Sequence, residues 1–254
     1  MSNSIFNLNK KVVLITGGTG IQGPEHKKAF EKVGAKVIIT DIKGGDYQMD
    51  VTDKVSVNKT VTRVVKEYGG IDVLVNNAGA TGKQVANAAT IFENQKLNDW
   101  EYILKVNLTG TFLCSQAVSK EMAKQGKGSI INIASIYGLV GPDFRIYKQS
   151  KYAGKKMGTP AAYAASKGGV LSLTRYLATY WANKGIRVNS VTPGGIFDNQ
   201  SKEFVKVYSK KVPMGRMAKR NEISGALLYL ASDLASYVTG ENIVVDGGIT
   251  IQLS

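Results

Sequence analysis

Residues 11–30 read KVVLITGGTGIQGPEHKKAF. The run VVLIT is apolar or β-branched without alternation, as in a strand buried on both faces of a parallel sheet. Pro24 suits a first helical turn, where its missing N–H costs nothing, and a helix over about Pro24–Val33 follows. Between strand and helix, TGGTGIQGPE (16–25) carries Gly17, Gly20 and Gly23 at intervals of three. Working outward, similar short runs recur: AKVIITD (35–41), IDVLVNN (71–77), GSIINIA (128–134), IRVNSVT (186–192) and NIVVDGG (242–248). Helical stretches separate them, for example Leu97–Met122, whose Asn98 and Glu101 have capping-box spacing. Strand–helix alternation with no linker, repeat or low-complexity tract predicts one α/β domain over residues 1–254. Its expected form is a doubly wound parallel sheet with helices on both faces.

Composition narrows the function classes. The chain has 254 residues, 43% of them hydrophobic, and a net charge of +14. It has no apolar run of membrane-spanning length, and its start, MSNSIFNLNKK, lacks the apolar core of a signal peptide. The lone cysteine, Cys114, permits no internal disulfide and sits in an apolar helical pattern. We read it as a packed core thiol, consistent with a reducing cytoplasm. The lone histidine, His26, follows Pro24-Glu25 at a helix start and is expected on the surface. One His and one Cys leave no zinc set, and no metal is expected. High positive charge suits anionic partners. There is, however, no helix–turn–helix, zinc finger or aromatic-interleaved basic stripe to point to nucleic acid, and no amphipathic membrane helix.

The glycine turn is suited to a pyrophosphate. Glycines let backbone approach it closely, and the following helix N-terminus offers free N–H groups. Gly17, Thr19, Gly20, Ile21 and Gly23 are the expected contacts. Asp41 ends the second strand, 18 residues after Gly23. A carboxylate there can accept from ribose hydroxyls and repels a 2′-phosphate, favouring NAD over NADP. Lys43 softens that preference. Asp50 and Val51 fall where a loop can cap the adenine.

Tyrosine precedes lysine by four residues at Tyr147/Lys151, Tyr152/Lys156, Tyr163/Lys167 and Tyr180/Lys184. On a helix such residues share a face, and a lysine there can acidify a phenol. The first two pairs lie in a segment broken by Gly154, Gly158 and Pro160, which is expected to hold no rigid pair. Lys184 is explained by a helix C-terminus. Tyr163/Lys167 opens an uninterrupted apolar stripe through Val170, Leu173, Leu177 and Trp181, among small residues that leave room for a flat ligand.

With these residues in view, the chain resembles the short-chain dehydrogenase/reductase family along essentially its whole length. The resemblance rests on the glycine turn, NNAG (76–79), Asn107 in VNLTG, Ser135 in NIAS, YAASK (163–167), TPGGI (192–196) and VTGENIVVDGG (238–248). It implies a Rossmann-like fold and an NAD(P)-dependent oxidoreductase. In that reading Tyr163 is the catalytic acid/base, Lys167 its electrostatic partner, Ser135 the hydroxyl that orients the substrate oxygen, and Asn107 a helix-embedded relay to water. Asn77, Ala78 and Gly79 would line the adenosine side of the cofactor, with Pro193, Gly194 and Ile196 beside the nicotinamide, and Tyr163 and Lys167 would also contact the cofactor. A homotetramer or homodimer is implied, through the C-terminal strand and the two long helices. Two departures stand out. Ile21 occupies the place of a family glycine, with Gly20 one residue early, a spacing closer to the family's extended branch. Ser135 to Tyr163 is longer than usual, which places an insertion at about 141–160.

That insertion holds Arg145, Lys148, Lys151, Lys155 and Lys156 against Asp143, a net +4. Residues 201–220, within a substrate loop at about 197–220, hold seven cations against Glu203, a net +6. In the family these segments frame the substrate, so an anionic small molecule, such as a sugar phosphate or activated sugar, is expected. FRIY (144–147) and GGIFDNQ (194–200) resemble a bacterial branch linked to flagellin modification and nonulosonic-acid sugar synthesis. The alternatives are a 3-oxoacyl-carrier-protein reductase, whose basic loops would meet an acidic carrier, and a non-catalytic dinucleotide sensor.

Overall fold

A computed structural model describes residues 5–85, 91–148, 151–152, 155–156 and 158–251. VVLIT forms β1 (Val12–Thr16), buried at every position. It is followed by α1 (Gly23–Lys32), with Pro24 in the first turn. Then come β2 (Lys36–Asp41), β3 (Tyr47–Gln48), α2 (Lys54–Tyr68), β4 (Val73–Asn76), α3 (Leu97–Leu104), α4 (Gly110–Gln125) and β5 (Gly128–Ile133). A short antiparallel pair, β6 (Lys151–Tyr152) and β7 (Lys155–Lys156), precedes α5 (Ala161–Trp181), β8 (Ile186–Pro193), α6 (Lys202–Ser209), α7 (Ser224–Ala231) and β9 (Asn242–Val245).

The main sheet has seven strands in the order β3-β2-β1-β4-β5-β8-β9, all parallel. Chain direction across the sheet reverses beside β1, and ligands of doubly wound sheets bind at the carboxyl ends of strands near such a point. One apolar layer joins Leu14, Leu74 and Ile130 to Val64 of α2, Val118 of α4 and Leu177 of α5. The other joins Val13, Val75 and Ile131 to Phe30 of α1 and Leu227 of α7. Phe30 is fully buried, and truncating such a side chain to alanine typically costs about 3–5 kcal/mol. The expected single doubly wound domain is therefore present.

Three local expectations are corrected. His26 is fully buried, not exposed; its Nδ1 lies 2.9 Å from Ser224 Oγ of α7. Burial pushes its pKa down to about 4, because the charged ring would lose its hydration. Leu97–Met122 is not one uniform helix. A π-turn, Lys105–Thr109, separates α3 from α4, and the cap of α3 is Lys96, whose side chain makes no capping bond. The short β3 falls between the second and third expected strands. In the insertion, Tyr147 sits in a buried 3-10 turn. The side chains of Lys151, Tyr152, Lys155 and Lys156 lie outside the described residues. Cys114 is buried, as expected. No described helix is long and apolar enough to cross a membrane. Among the described residues no His, Cys, Asp and Glu gather as a metal site.

Candidate active site

The carboxyl ends of six of the seven main-sheet strands open into one cleft of about 790 Å³. Its first wall is the glycine turn. Gly17 has φ +63, and a Cβ there would sit 2.6 Å from Ala78 Cα. At Gly18 a Cβ would sit 2.4 Å from Ile39 Cβ, and at Gly23 2.3 Å from the Gly18 carbonyl oxygen. These three glycines exist for close packing of the turn. Gly20 differs, its nearest contact being Gly17 O at 3.3 Å, so it leaves open space along the cleft. The Thr19 amide donates to Asp41 Oδ2 (3.1 Å), and the Ile42 amide to Asp41 Oδ1 (2.8 Å), fixing that carboxylate at the end of β2.

The second wall is NNAG after β4. Thr16 Oγ1 accepts from the amides of Asn77 (3.1 Å) and Ala78 (3.0 Å). Asn77 Nδ2 returns bonds to the carbonyls of Thr16 and Gly17. The two loops thus brace each other, as a pre-organised ligand floor requires. Asp50, Val51, Gly79, Pro193, Gly194 and Ile196 also line the cleft, with Thr19, Gly20, Ile21 and Asp41. Of the expected cofactor contacts only Gly23 does not, being packed inside the turn. These features fit an extended dinucleotide: a turn stripped of side chains, an open position at Gly20 and a fixed carboxylate at a strand end.

The reactive groups meet deeper in the cleft. Tyr163 and Lys167 lie one turn apart on α5, with Lys167 Nζ 5.9 Å from the Tyr163 ring centroid. Lys167 donates to the Ile133 carbonyl at 2.7 Å. Burial lowers its pKa to about 8. Burial also raises the Tyr163 phenol, against which the hydrogen bond from Ser135 works in the opposite direction. Ser135 caps the 3-10 turn Ile136–Gly138 and accepts from the Tyr137 amide at 3.3 Å. Gly138 is obligatory there, since a Cβ would sit 2.7 Å from the Lys167 carbonyl carbon.

Asn107 lies behind the cleft, inside the π-turn and almost fully buried. Its Oδ1 accepts from the Ala80 amide (2.7 Å). Its Nδ2 donates to the Ala80 carbonyl (3.0 Å) and to Ser166 Oγ (2.9 Å). The side chain is thus fully engaged in joining the post-β4 loop to α5, and π-turns commonly mark such functional junctions.

Several cleft residues carry no family motif in the sequence. Gly18 is one. Tyr137, Tyr147, Thr159, Phe204 and Tyr208 form the opposite wall. Tyr147 stands out in the sequence as one of the four Tyr/Lys pairs and within FRIY, and Tyr137 lies two residues after Ser135; nothing local points to Thr159, Phe204 and Tyr208, which the fold brings in from afar. Part of the charge in the basic segments is locally paired. Asp143 bonds Arg145 (2.8 Å) and Lys211 (2.5 Å), and is held well below the ordinary carboxylate range by them. Arg216 pairs with Glu222, and Arg220 and Lys83 share Asp198. Among the described lining residues the cations are Lys83 and Lys167.

A family model described as Enoyl-(Acyl carrier protein) reductase matches residues 19–250. A 3-oxoacyl-[acyl-carrier-protein] reductase of Thermotoga maritima is 35% identical, over 97% of this chain and 100% of its own. A D-threitol dehydrogenase of Mycolicibacterium smegmatis is also 35% identical, over 97% and 95%. A short-chain dehydrogenase from Leptospira borgpetersenii, solved with bound NAD+, superposes with a TM-score of 0.87 at 35% identity, covering 98% of this chain and 97% of its own. Fold, cleft and kinship agree, and the chain belongs to the short-chain dehydrogenase/reductase family as an NAD(P)-dependent oxidoreductase.

Proposed function

We propose that the chain oxidises a secondary carbinol of a small polyol or sugar, or reduces the matching ketone, with NAD as the preferred cofactor. The observation that carries the reading is the Tyr163/Lys167 pair on rigid α5, with the Ser135 hydroxyl at Tyr163 in the cleft. The nicotinamide supplies the hydride acceptor or donor. Tyr163 takes the carbinol proton in oxidation and returns it in reduction. Ser135 Oγ orients the reacting oxygen. Lys167, charged below about pH 8, favours the phenolate by its field. Asn107 holds the loop and helix that carry these groups and remains the proposed helix-embedded relay to water. Asp41 supports the NAD preference, and Gly17, Thr19, Gly20, Ile21, Asp50, Val51, Asn77, Ala78, Gly79, Pro193, Gly194 and Ile196 form the proposed cofactor bed.

The substrate choice rests on the opposite wall, which is aromatic and hydroxyl-bearing. The basic segments at 141–160 and 201–220 would favour a phosphorylated or activated sugar, as in the branch that FRIY and GGIFDNQ resemble. The pairing of Arg145, Lys211, Arg216 and Arg220 with carboxylates favours the neutral form. A 3-oxoacyl-carrier-protein reductase is the second reading, favoured by the Thermotoga relative and by basic loops able to meet an acidic carrier. The sensor reading has no use for an intact Ser135/Tyr163/Lys167 set. A homo-oligomer is supported by exposed Phe112 on α4, Tyr176 and Tyr180 on α5 and Val244 on β9.

The test is reduced-cofactor formation with NAD and NADP side by side. The panel holds threitol, glycerol, hexoses and aminohexoses with and without phosphate, and a 3-hydroxyacyl thioester. NAD-linked turnover of neutral polyols supports the reading. Turnover confined to phosphates restores the anionic substrate, and thioester turnover with NADP establishes the carrier-protein reading.

A further inference from the structure

The insertion and the turn after β5 build a hydroxyl cluster that the reaction chemistry leaves unused. Tyr147 OH lies 2.7 Å from Tyr137 OH and 2.8 Å from Thr159 Oγ1. Three hydroxyls carry three hydrogens, and the two bonds among them use two. Whichever way the bonds run, one O–H remains to donate, and acceptor lone pairs remain beside it. Tyr137, Tyr147 and Thr159 all line the cleft, and the Tyr137 ring packs edge-on to the ring of Tyr163 at 6.5 Å. The cluster therefore stands beside the reacting centre.

It is also held rigidly. The Tyr147 ring stacks on Phe204 (5.8 Å), and Phe204 on Tyr208 (5.6 Å). Tyr208 OH accepts from the Gly195 amide at 2.6 Å, and a Cβ at residue 195 would sit 2.5 Å from the Tyr208 ring. Asp143 and Lys211 tie the base of the insertion to the chain just after α6. If packing alone were at stake, phenylalanine would fill the places of Tyr137 and Tyr147. Hydroxyls in an aromatic wall instead suit an oxygenated ligand, which they hold by directed bonds.

We infer that Tyr147, with Tyr137 and Thr159, is the substrate-recognising triad that hydrogen-bonds a second oxygen of the substrate, next to the carbinol attacked at Tyr163. This rests on the polyol reading above and narrows it to vicinal diols. The enzyme would then discriminate between compounds that differ only in that second hydroxyl.

Butane-2,3-diol and butan-2-ol form such a pair, and the readout is the ratio of their kcat/KM values with saturating NAD. The wild-type ratio should favour the diol. Tyr147→Phe should lower the ratio roughly tenfold, mainly through a higher KM for the diol, with NAD affinity by calorimetry unaltered. Thr159→Val, which keeps the volume and removes one partner of Tyr147, should lower it in the same sense and serves if the first variant does not fold. A ratio unchanged in a folded variant overturns the inference and leaves the polyol reading standing. A wild-type enzyme that oxidises neither compound but turns over threitol or a hexose overturns the inference alone, and one that oxidises none of these overturns both. A higher kcat/KM for butan-2-ol than for the diol in the wild type overturns the inference alone.

Discussion

Replacing Lys167 by methionine keeps an unbranched side chain, one atom shorter, and removes its charge. The ammonium lies 5.9 Å from the Tyr163 ring centroid. At an effective dielectric of about 20, a unit charge at that separation favours a phenolate by about 2.8 kcal/mol, or about two pKa units. Burial works the other way, raising the phenol, so without the lysine only the hydrogen bond from Ser135 is left to offset it. For carbinol oxidation, Tyr163 must be deprotonated to accept the proton. The ascending limb of kcat/KM against pH should therefore move up by about two units in Lys167→Met, and activity at neutral pH should fall about a hundredfold. The deficit should narrow above pH 8, because the buried lysine itself gives up its proton at about 8. Initial rates of NADH formation across the pH range measure both features. An ascending limb that stays in place, or moves down, refutes the electrostatic role assigned to Lys167.

Two further predictions concern stability. Gly23→Ala sets a Cβ 2.3 Å from backbone oxygen, whereas Gly20→Ala meets only one atom at 3.3 Å. Overpacking against backbone should cost Gly23→Ala about 2 kcal/mol or more, seen as a lower urea midpoint, and Gly20→Ala should lose little stability while weakening NAD binding. His26 has a folded pKa of about 4 against 6.5 unfolded, so the unfolded chain binds the extra proton between those values. Its stabilisation is complete above pH 6.5 and is lost as pH falls toward 4, by about 3 kcal/mol. Urea midpoints at pH 7 and pH 4 should diverge less in His26→Leu than in the wild type.

Much of this architecture was legible in the chain. Uninterrupted runs such as VVLIT have only one comfortable place, the middle of a parallel sheet, and the glycine turn after β1 announced the cleft. What the chain concealed has a common cause, namely contacts between residues far apart in sequence. His26 reads as polar and exposed until α7 covers it with Ser224. The split of Leu97–Met122 at a π-turn leaves no mark in hydrophobic periodicity, because it comes from Asn107 reaching the Ala80 backbone 27 residues away. Tyr147 is placed by stacking on Phe204, a contact no local pattern signals. The net charge pointed at the substrate, and local carboxylates such as Asp143 and Asp198 absorb part of it.

The central claim is that Tyr163, and not another tyrosine of the cleft, exchanges the proton. Tyr163→Phe removes one hydroxyl without changing the ring, and its NAD-linked turnover can be measured beside its affinity for NAD. Turnover should fall to background while NAD affinity stays within about twofold of the wild type, since the phenol acts on the proton and not on the fold of the cofactor bed. Near-normal turnover by Tyr163→Phe, with Tyr147→Phe inactive instead, would contradict it.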